Sequence, residues 1–206
     1  QNTSYFAPAD DRRFATTDTA NASKGNGVVT STYSFLNKIE GSNGLVPAWC
    51  SNGCANRGDG GLGYKDGDKY QYDSHRTPWR MALDVCWNNN ADAKDYVTKV
   101  TSFFVTHSDT EGLGSLVDVY DAAGAPCTGC TSAPQANSMS IIGTAAVGAM
   151  ATGNTANRAF LDRAWQFLLD ANYTADPTFK SGGYTYYNAT VGLLTALTLS
   201  GNFNNF

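Results

Sequence analysis

The sequence predicts an all-α fold of helical hairpins packed around a common centre. Apolar residues recur at helical spacing in five long segments of the 206-residue chain. Residues 77–87, 138–151 and 188–200 are apolar almost all round, whereas residues 92–105 and 155–171 are apolar on one face only. A helix that is apolar on every side is buried, and an amphipathic helix can cover it. The alternation therefore predicts an inner and an outer layer of helices.

Two more helices and two long loops complete the expected layout. A helical apolar pattern covers residues 28–40, and a weaker one covers residues 8–16. The loops at 41–71 and 112–135 are rich in Gly, Asn, Asp and Pro, and long loops are often functional. We expect a single domain over residues 1–206, with no sheet beyond short hairpins in these loops.

The five cysteines fall into two close pairs and one single residue. Cys50 and Cys54 lie in one polar loop, and Cys127 and Cys130 lie in the other. We predict two local disulfides, with Cys86 reduced and buried in its helix. A zinc site built from both pairs is the alternative. The secreted character of the rest of the chain favours the disulfides.

Composition indicates an extracellular protein without nucleic-acid or membrane partners. The net charge is −4, charged residues make up 16%, and no basic stripe is present. No apolar run is long enough to span a membrane. Gly, Asn, Ser and Thr are abundant and Lys is sparse, as in secreted proteins. The two histidines are isolated and no phosphate-loop motif occurs, so we expect no metal and no cofactor.

Four Asn-x-Ser/Thr sequons are candidate glycosylation sites: Asn2, Asn21, Asn172 and Asn188. A chain this rich in Asn, Ser and Thr would contain about that many by chance, so the sequons themselves are weak indicators. They matter only if the source glycosylates its secreted proteins.

The most informative stretch is residues 72–80, YDSHRTPWR. Asp73 and Arg76 stand three residues apart, just before an expected helix start at which Thr77 suits the N-cap and Pro78 the first helical position. A carboxylate in front of a buried helix, with a cation beside it to favour the ionised form, could serve as a catalytic base. A purely structural ion pair is the alternative.

Four stretches in the same order resemble glycoside hydrolase family 8: residues 4–9 (SYFAPA), 44–49 (GLVPAW), 72–80 and 186–203. The family includes bacterial cellulases, xylanases, lichenases and chitosanases. The resemblance implies an (α/α)6 toroid and inverting hydrolysis of β-1,4 glycans. All four stretches correspond to the C-terminal portion of the family, so the chain would form an incomplete toroid, about half to two-thirds of it.

The resemblance also implies roles for individual residues. Asp73 matches the base that activates water, Arg76 the residue that holds this base, and Tyr5 a tyrosine near the nucleophilic water. The candidate substrate-binding residues are Trp49, Trp79 and Tyr72. For the two tryptophans, a place in the core is the alternative to sugar stacking.

The general acid of the family has no counterpart in this sequence. An inverting glycosidase needs two carboxyl groups roughly 6.5–9.5 Å apart. In the family the acid is a Glu in an S-E-G-type motif near the N-terminus, and an A-x-D-x-D motif supplies a further Asp; neither motif occurs here. The only glutamates are Glu40, at the end of a predicted helix, and Glu111, which is in the wrong place in the order. The sequence therefore contains a candidate for the catalytic base, Asp73, but no candidate for the general acid.

Two functional hypotheses follow. The first is a secreted, cellulase-like structural protein that has lost hydrolysis and assembles with copies of itself, for example into a filament. Its basis is that a partial toroid leaves apolar helices and two edges to be covered. The second is a hydrolase for a β-1,4-linked glycan whose acid comes from a missing N-terminal segment or a second chain. The missing acid favours the first, and the Asp73–Arg76 pair favours the second. A non-catalytic carbohydrate-binding module is a third and weaker hypothesis.

Overall fold

A computed structural model describes residues 1–131, 133–171 and 186–204, without the side chains of residues 109–111. Every helix expected from the sequence is present in this part of the chain. The α-helices are α1 (Pro8–Thr17), α2 (Ala22–Ile39), α3 (Tyr72–Asn88), α4 (Ala91–Glu111), α5 (Met139–Thr152), α6 (Arg158–Asp170) and α7 (Tyr186–Leu199). The first long loop contains one antiparallel hairpin, formed by β1 (Cys50–Ser51) and β2 (Asn56–Arg57).

The helices form two layers, as the sequence predicts. In the inner row, α1 packs on α3, α3 on α5, and α5 on α7. The outer helices cover this row: α2 packs on α1, α4 on α3 and α5, and α6 on α5 and α7. Helices that alternate between an inner and an outer position are the repeating unit of an α/α toroid, and the described part of this chain forms an open arc of such units.

Helix α5 is the centre of the arc. All residues from Met139 to Ala149 are buried, because α3, α4, α6 and α7 surround this helix. Two glycines allow its neighbours to come close. A Cβ atom at Gly143 would lie 2.1 Å from Thr195 Oγ1 of α7, and one at Gly148 would lie 2.7 Å from Thr101 Oγ1 of α4. The sequence of α5 is apolar on every side because every side is packed.

The first residue of α3 comes six positions before Pro78, the first helical position that the sequence suggested. The helix starts at Tyr72, and the predicted start at Thr77 and Pro78 lies inside the helix. The true start is stabilised by Ser74, whose hydroxyl accepts a hydrogen bond from the Gln71 amide at 3.3 Å. Thr77 is buried, and its hydroxyl instead donates to the carbonyl oxygen of Thr3 (3.2 Å). As a result, the catalytic candidate of this segment lies in the first helical turn rather than in front of the helix.

Both predicted disulfides are present, Cys50–Cys54 and Cys127–Cys130. Their sulfur atoms are therefore not available to a zinc ion. Cys86 is unpaired, as expected, but it is exposed rather than buried. The prediction of a buried thiol is wrong because the last turn of α3, residues 86–88, is exposed or half-buried beyond the core.

Helix α7 is not buried on all sides within the single chain. Its Leu193 is 51% exposed, and Leu197 and Tyr186 are exposed as well. The reason is position: α7 is the last helix of the inner row, so within the described part of the chain it packs mainly on α5 and α6. Tyr187 and Thr198 also form hydrogen bonds with α3. None of the helices in the described part of the chain combines the length and the apolar character needed to cross a membrane.

Candidate active site

The carboxylate of Asp73 is held from two sides. Arg76 Nη2 donates to Oδ1 at 3.2 Å, and the indole Nε1 of Trp49 donates to Oδ2 at 3.3 Å. Asp73 lies in the first turn of α3, where the helix dipole favours a negative charge. Its side chain is 35% exposed, so a ligand can reach it. The predicted pair of Asp73 and Arg76 is therefore brought together, and Trp49 joins it through a polar contact.

The N-terminal segment fixes the orientation of Arg76. Its Nη2 donates to Ser4 Oγ at 2.6 Å. Ser4 is fully buried, and both its amide and its hydroxyl donate to Asn2 Oδ1, at 2.9 and 2.5 Å. This chain of hydrogen bonds extends from Asn2 through Ser4 and Arg76 to Asp73, so residues separated by 72 positions in sequence form one network.

Two tyrosine rings enclose the guanidinium group of Arg76. The rings of Tyr5 and Tyr187 each lie 5.7 Å from its Cζ, a distance at which a cation attracts an aromatic face. Tyr5 is largely exposed, whereas the Tyr187 hydroxyl is fixed by donating to the backbone oxygen of Tyr72. Tyr5 therefore lies beside Arg76, the partner of the candidate base, and its predicted role near the nucleophilic water stays a prediction.

Trp49 offers only part of its surface to a ligand. Tyr64 stacks on the indole with 4.0 Å between ring centroids and 8° between the planes. Trp49 is half-buried, and Tyr64 is the exposed ring of the pair. If this stacked pair supports a sugar, Tyr64 is the ring that is open to it, and the indole mainly orients Asp73.

Trp79 is a core residue, so its assignment as a sugar-stacking surface is wrong. The side chain is buried at 6% exposure. Its Nε1 donates to Thr198 Oγ1 of α7 at 2.9 Å, and its ring packs edge-on against Phe203 at 5.4 Å between centroids. The residue joins α3 to the C-terminal segment, which leaves no face for a ligand.

Tyr72 takes part in a hydrogen-bond network that also contains Asp118 and the buried residues His75 and Ser140. Its hydroxyl donates to Asp118 Oδ2 at 2.6 Å. His75 contacts the carbonyl oxygen of Asp118 through Nε2 (2.9 Å) and Ser140 Oγ through Nδ1 (2.8 Å). Burial lowers the pKa of His75 to about 3, so this histidine is neutral near pH 7. The network connects α3 to α5 and to the second long loop.

A small cavity adjoins the amino end of α3, with a volume of about 210 Å³. Both long loops contribute to it. Its lining residues are Lys65, Asp66, Gln71, Tyr72, Val119 and Thr131. Tyr72 therefore has a part of its side chain in a space that a ligand could enter, which is compatible with its assignment as a substrate-binding residue.

No second carboxyl group forms a hydrogen bond or an ion pair with Asp73 or Arg76 in the described part of the chain. Glu40 forms an ion pair with Lys99, and its side chain is largely buried. The side chain of Glu111 lies outside what the structure describes.

Two of the four sequons are buried, which corrects their assignment as glycosylation candidates. Asn2 accepts the two hydrogen bonds from Ser4, and Asn188 is fully buried, where it contacts the hydroxyls of Ser138 and Ser140. A glycan on either side chain would not fit this fold. Asn21 is exposed and stays a candidate. Asn172 lies outside the described residues.

The layered helices, with a half-buried carboxylate in the first turn of an inner helix, place the chain in the α/α-toroid class of proteins. The chain belongs to the glycosyl hydrolases family 8, whose family model matches residues 1–201. It is 31% identical over 206 residues to "Endoglucanase C" of Ruminiclostridium cellulolyticum and 32% identical over 210 residues to "Endoglucanase A" of Acetivibrio thermocellus. Each match covers 99% of this chain and 38% of the relative.

Solved structures show the same fold. A β-1,3-1,4-glucanase from Paenibacillus sp. X4 matches with a TM-score of 0.79 at 20% identity, covering 100% of this chain and 51% of the other. Rex8A from Paenibacillus barcinonensis, in complex with xylose, matches with a TM-score of 0.77 at 17% identity, covering 100% and 50%. The chain thus spans less than two-fifths of the curated relatives and about half of an (α/α)6 toroid.

Proposed function

We propose that this chain is a secreted, cellulase-like protein that assembles with copies of itself and does not hydrolyse β-glycans alone. The observation that carries the proposal is the exposure of large apolar side chains at both ends of the helix arc. At one end, Phe14 of α1 is 67% exposed and Val28 of α2 is exposed. At the other end, Leu193 and Leu197 of α7 and Leu169 of α6 are exposed.

We propose that a contact between copies joins one end of the arc to the other, different end of the next molecule. Such a head-to-tail contact gives a ring if the rotation closes and a filament if it does not. Burying one large apolar side chain is worth about 1.5–3 kcal/mol. Helix α7 contains no charged residue, so an interface on it would not remove a charge from water.

A second copy is the occupant that we favour, because the chain itself supplies both apolar ends. The remaining part of a family 8 toroid, as a further segment or a partner chain, would cover the same ends. An assembly experiment on the purified chain separates these occupants. The two disulfides support an extracellular location, since such bonds persist in oxidising compartments.

The test is the particle size of the purified chain at micromolar concentration, by sedimentation velocity and electron microscopy. We expect assemblies much larger than one 21.9 kDa chain. The double variant Leu193→Lys/Leu197→Lys should dissociate them, whereas Leu62→Lys, at an exposed loop position, should not. A folded, monodisperse wild-type monomer would overturn the proposal.

Inverting hydrolysis of a β-1,4 glycan is the second candidate function, and the Asp73 site favours it. Asp73 is oriented by Trp49 and Arg76, is open to ligands, and could accept a proton from water. A general acid roughly 6.5–9.5 Å from it would have to come from another segment or a second chain. In that case this chain would bind and activate the water, and its partner would protonate the leaving sugar.

Hydrolysis is tested by the release of reducing sugar from carboxymethylcellulose, xylan and chitosan. The isolated chain should stay at background, because general acid catalysis is worth roughly 10²–10⁴-fold. Asp73→Asn is the control, since it removes the base while keeping a similar shape. Activity that this substitution abolishes would support the hydrolase and would contradict the non-catalytic proposal.

A further inference from the structure

A polar groove lies between α1, α2 and the start of α4, and none of its lining residues belongs to the Asp73 site. Its volume is about 370 Å³, which is within the usual range of ligand sites, about 300–1,000 Å³. Helix α2 contributes Asn26, Thr30, Ser34 and Asn37 to its lining, and the start of α4 contributes the N-cap residue Asn90 and Asp92. Apart from Arg12 and Asp92, the polar lining is uncharged.

The lining contributed by α2 is an extended row of amide and hydroxyl groups. Its four residues follow one another at intervals of four, four and three positions, so they share one helix face. Asn26 and Asn37 are eleven residues apart, which is about 16 Å along the helix at 1.5 Å per residue. All four are exposed, and Ser34 and Asn37 use no side-chain atom in a hydrogen bond within the described part of the chain. The groove is thus long, polar and open.

Two residues that line the groove, Arg12 and Tyr33, are hydrogen-bonded to the carboxylate of Asp84 beneath them. Asp84 of α3 is fully buried, and Arg12 Nε donates to both of its oxygens, at 3.0 and 3.3 Å. The hydroxyl of Tyr33 and the amide of Asn88 donate to the same carboxylate. The charge of Arg12 is therefore neutralised within the protein, and Asp92 adds one negative charge at the rim. An anionic ligand would find no free cation there, and an apolar ligand would leave the amides and hydroxyls unpaired.

We propose that this groove binds a neutral, extended glycan chain at a site separate from Asp73. A sugar carries hydroxyls that donate and accept, and the side chains of Asn, Ser and Thr can do both in return. The linear row on α2 matches a polymer rather than a compact ligand. Asp84 and Asp73 are eleven residues apart on α3, about 16 Å along its axis, so the two sites lie at opposite ends of this helix. The site would let the protein hold polysaccharide whether or not it assembles or hydrolyses.

Retention in native gels that contain mixed-linkage β-glucan or xylan tests this site. The wild-type chain should be retarded by at least one of the two polysaccharides. Ser34→Trp, which fills the middle of the groove, should weaken binding about tenfold or more. Asn37→Ala, which removes a polar group without adding bulk, should weaken it in the same direction. Ser31→Trp is the matched control, because Ser31 is exposed on α2 but does not line the groove.

Asp73→Asn separates this site from the candidate active site. We expect this variant to be retarded as strongly as the wild type. Circular dichroism and sedimentation would verify that all variants keep the wild-type fold and particle size. The proposal is overturned if neither polysaccharide retards the chain, if Ser34→Trp and Asn37→Ala bind as the wild type does, or if Asp73→Asn abolishes retention.

Discussion

The orientation of Arg76 depends on a residue far away in sequence. Ser4 is fully buried and accepts a hydrogen bond from the arginine at 2.6 Å while its own hydroxyl donates to Asn2. Removing the hydroxyl would leave a half-buried cationic donor without this partner, and an unpaired donor costs about 1–3 kcal/mol. Ser4 therefore supports both the fold of the N-terminal segment and the geometry of the candidate base.

We expect Ser4→Ala to lower the free energy of unfolding by about 1–3 kcal/mol, measured by urea denaturation. Thr16→Ala is a suitable control, because the Thr16 hydroxyl also makes one hydrogen bond but lies on the exposed surface. Exposed substitutions usually change stability by no more than about 0.5 kcal/mol. Equal effects of the two substitutions would show that the bond to Arg76 contributes little.

His75 makes the stability of the fold depend on pH. Burial holds its folded-state pKa at about 3, against an ordinary value of 6.5. The unfolded chain therefore binds a proton more readily, and the contribution of neutral His75 is complete above pH 6.5 and is lost as the pH falls toward 3. Each pH unit in this window is worth about 1.4 kcal/mol.

We expect the stability advantage of the wild type over His75→Gln to shrink by about 2–3 kcal/mol between pH 6.5 and 4.5. Urea denaturation of both proteins across this range measures the difference. Subtracting the free energy of unfolding of the variant from that of the wild type removes the contribution of carboxyl groups that titrate in both proteins. A difference that does not change with pH would show that His75 is protonated in the folded protein as readily as in the unfolded one.

At the scale of single residues, the sequence located the candidate base and Arg76 but not the distant residues that hold Arg76. Asp73 and Arg76 are neighbours on one helical turn, so their contact follows from spacing. Ser4 contacts Arg76 across 72 residues, and only the tertiary fold brings them together. Trp79 was misjudged because an aromatic residue beside a site motif can face either the ligand or the core, and spacing does not distinguish the two.

At the scale of helices, the close packing of α5 on α7 depends on Gly143, which has no side chain at the point of contact. A Cβ atom at Gly143 would lie 2.1 Å from Thr195 Oγ1 and 3.0 Å from its Cβ. Thr195 is fully buried, so it has little room to move away. In contrast, Gly27 in α2 has no atom within 4 Å of the corresponding position.

The same substitution should therefore have opposite effects at these two glycines. Gly143→Ala should destabilise the protein by about 1–3 kcal/mol, because overpacking forces α5 and α7 apart. Gly27→Ala should stabilise it by about 0.5–1 kcal/mol, because alanine is the better helix former where space is free. Thermal unfolding should show a lower Tm for the first variant and a higher Tm for the second. A gain in stability from Gly143→Ala would contradict the close approach of the two helices.

Helix type and order could be read from the sequence, whereas some of the helix environments could not. The all-round apolar pattern identified α3, α5 and α7 as inner helices, since only a packed helix can dispense with a polar face. The pattern could not show that α7 is the last helix of the inner row, because the tertiary fold, and not the sequence of a helix, decides which helices pack against it. The start of α3 was missed for a local reason: Pro78 is a strong start signal, yet the Ser74 hydroxyl stabilises an earlier start.

At the scale of the whole molecule, the two apolar ends of the arc allow two kinds of contact between copies, head-to-tail and isologous. In a head-to-tail contact, the α7 end of one copy meets the α1 and α2 end of the next. In an isologous contact, each end would meet its own kind. The two arrangements respond differently when only one end is blocked, so variants of single ends can distinguish them.

We expect Phe14→Lys to block one end of the arc and Leu193→Lys/Leu197→Lys to block the other. In a head-to-tail assembly, each variant alone lacks one of the two surfaces that every contact needs, so each should sediment as a 21.9 kDa monomer. Mixed in equal amounts, the variants should form a heterodimer of twice this mass, because one intact pair of ends remains and the blocked ends stop further growth. Leu62→Lys, outside both ends, should assemble like the wild type. If either end variant alone forms a stable dimer, the contact joins like ends, and a closed pair would replace the ring or filament.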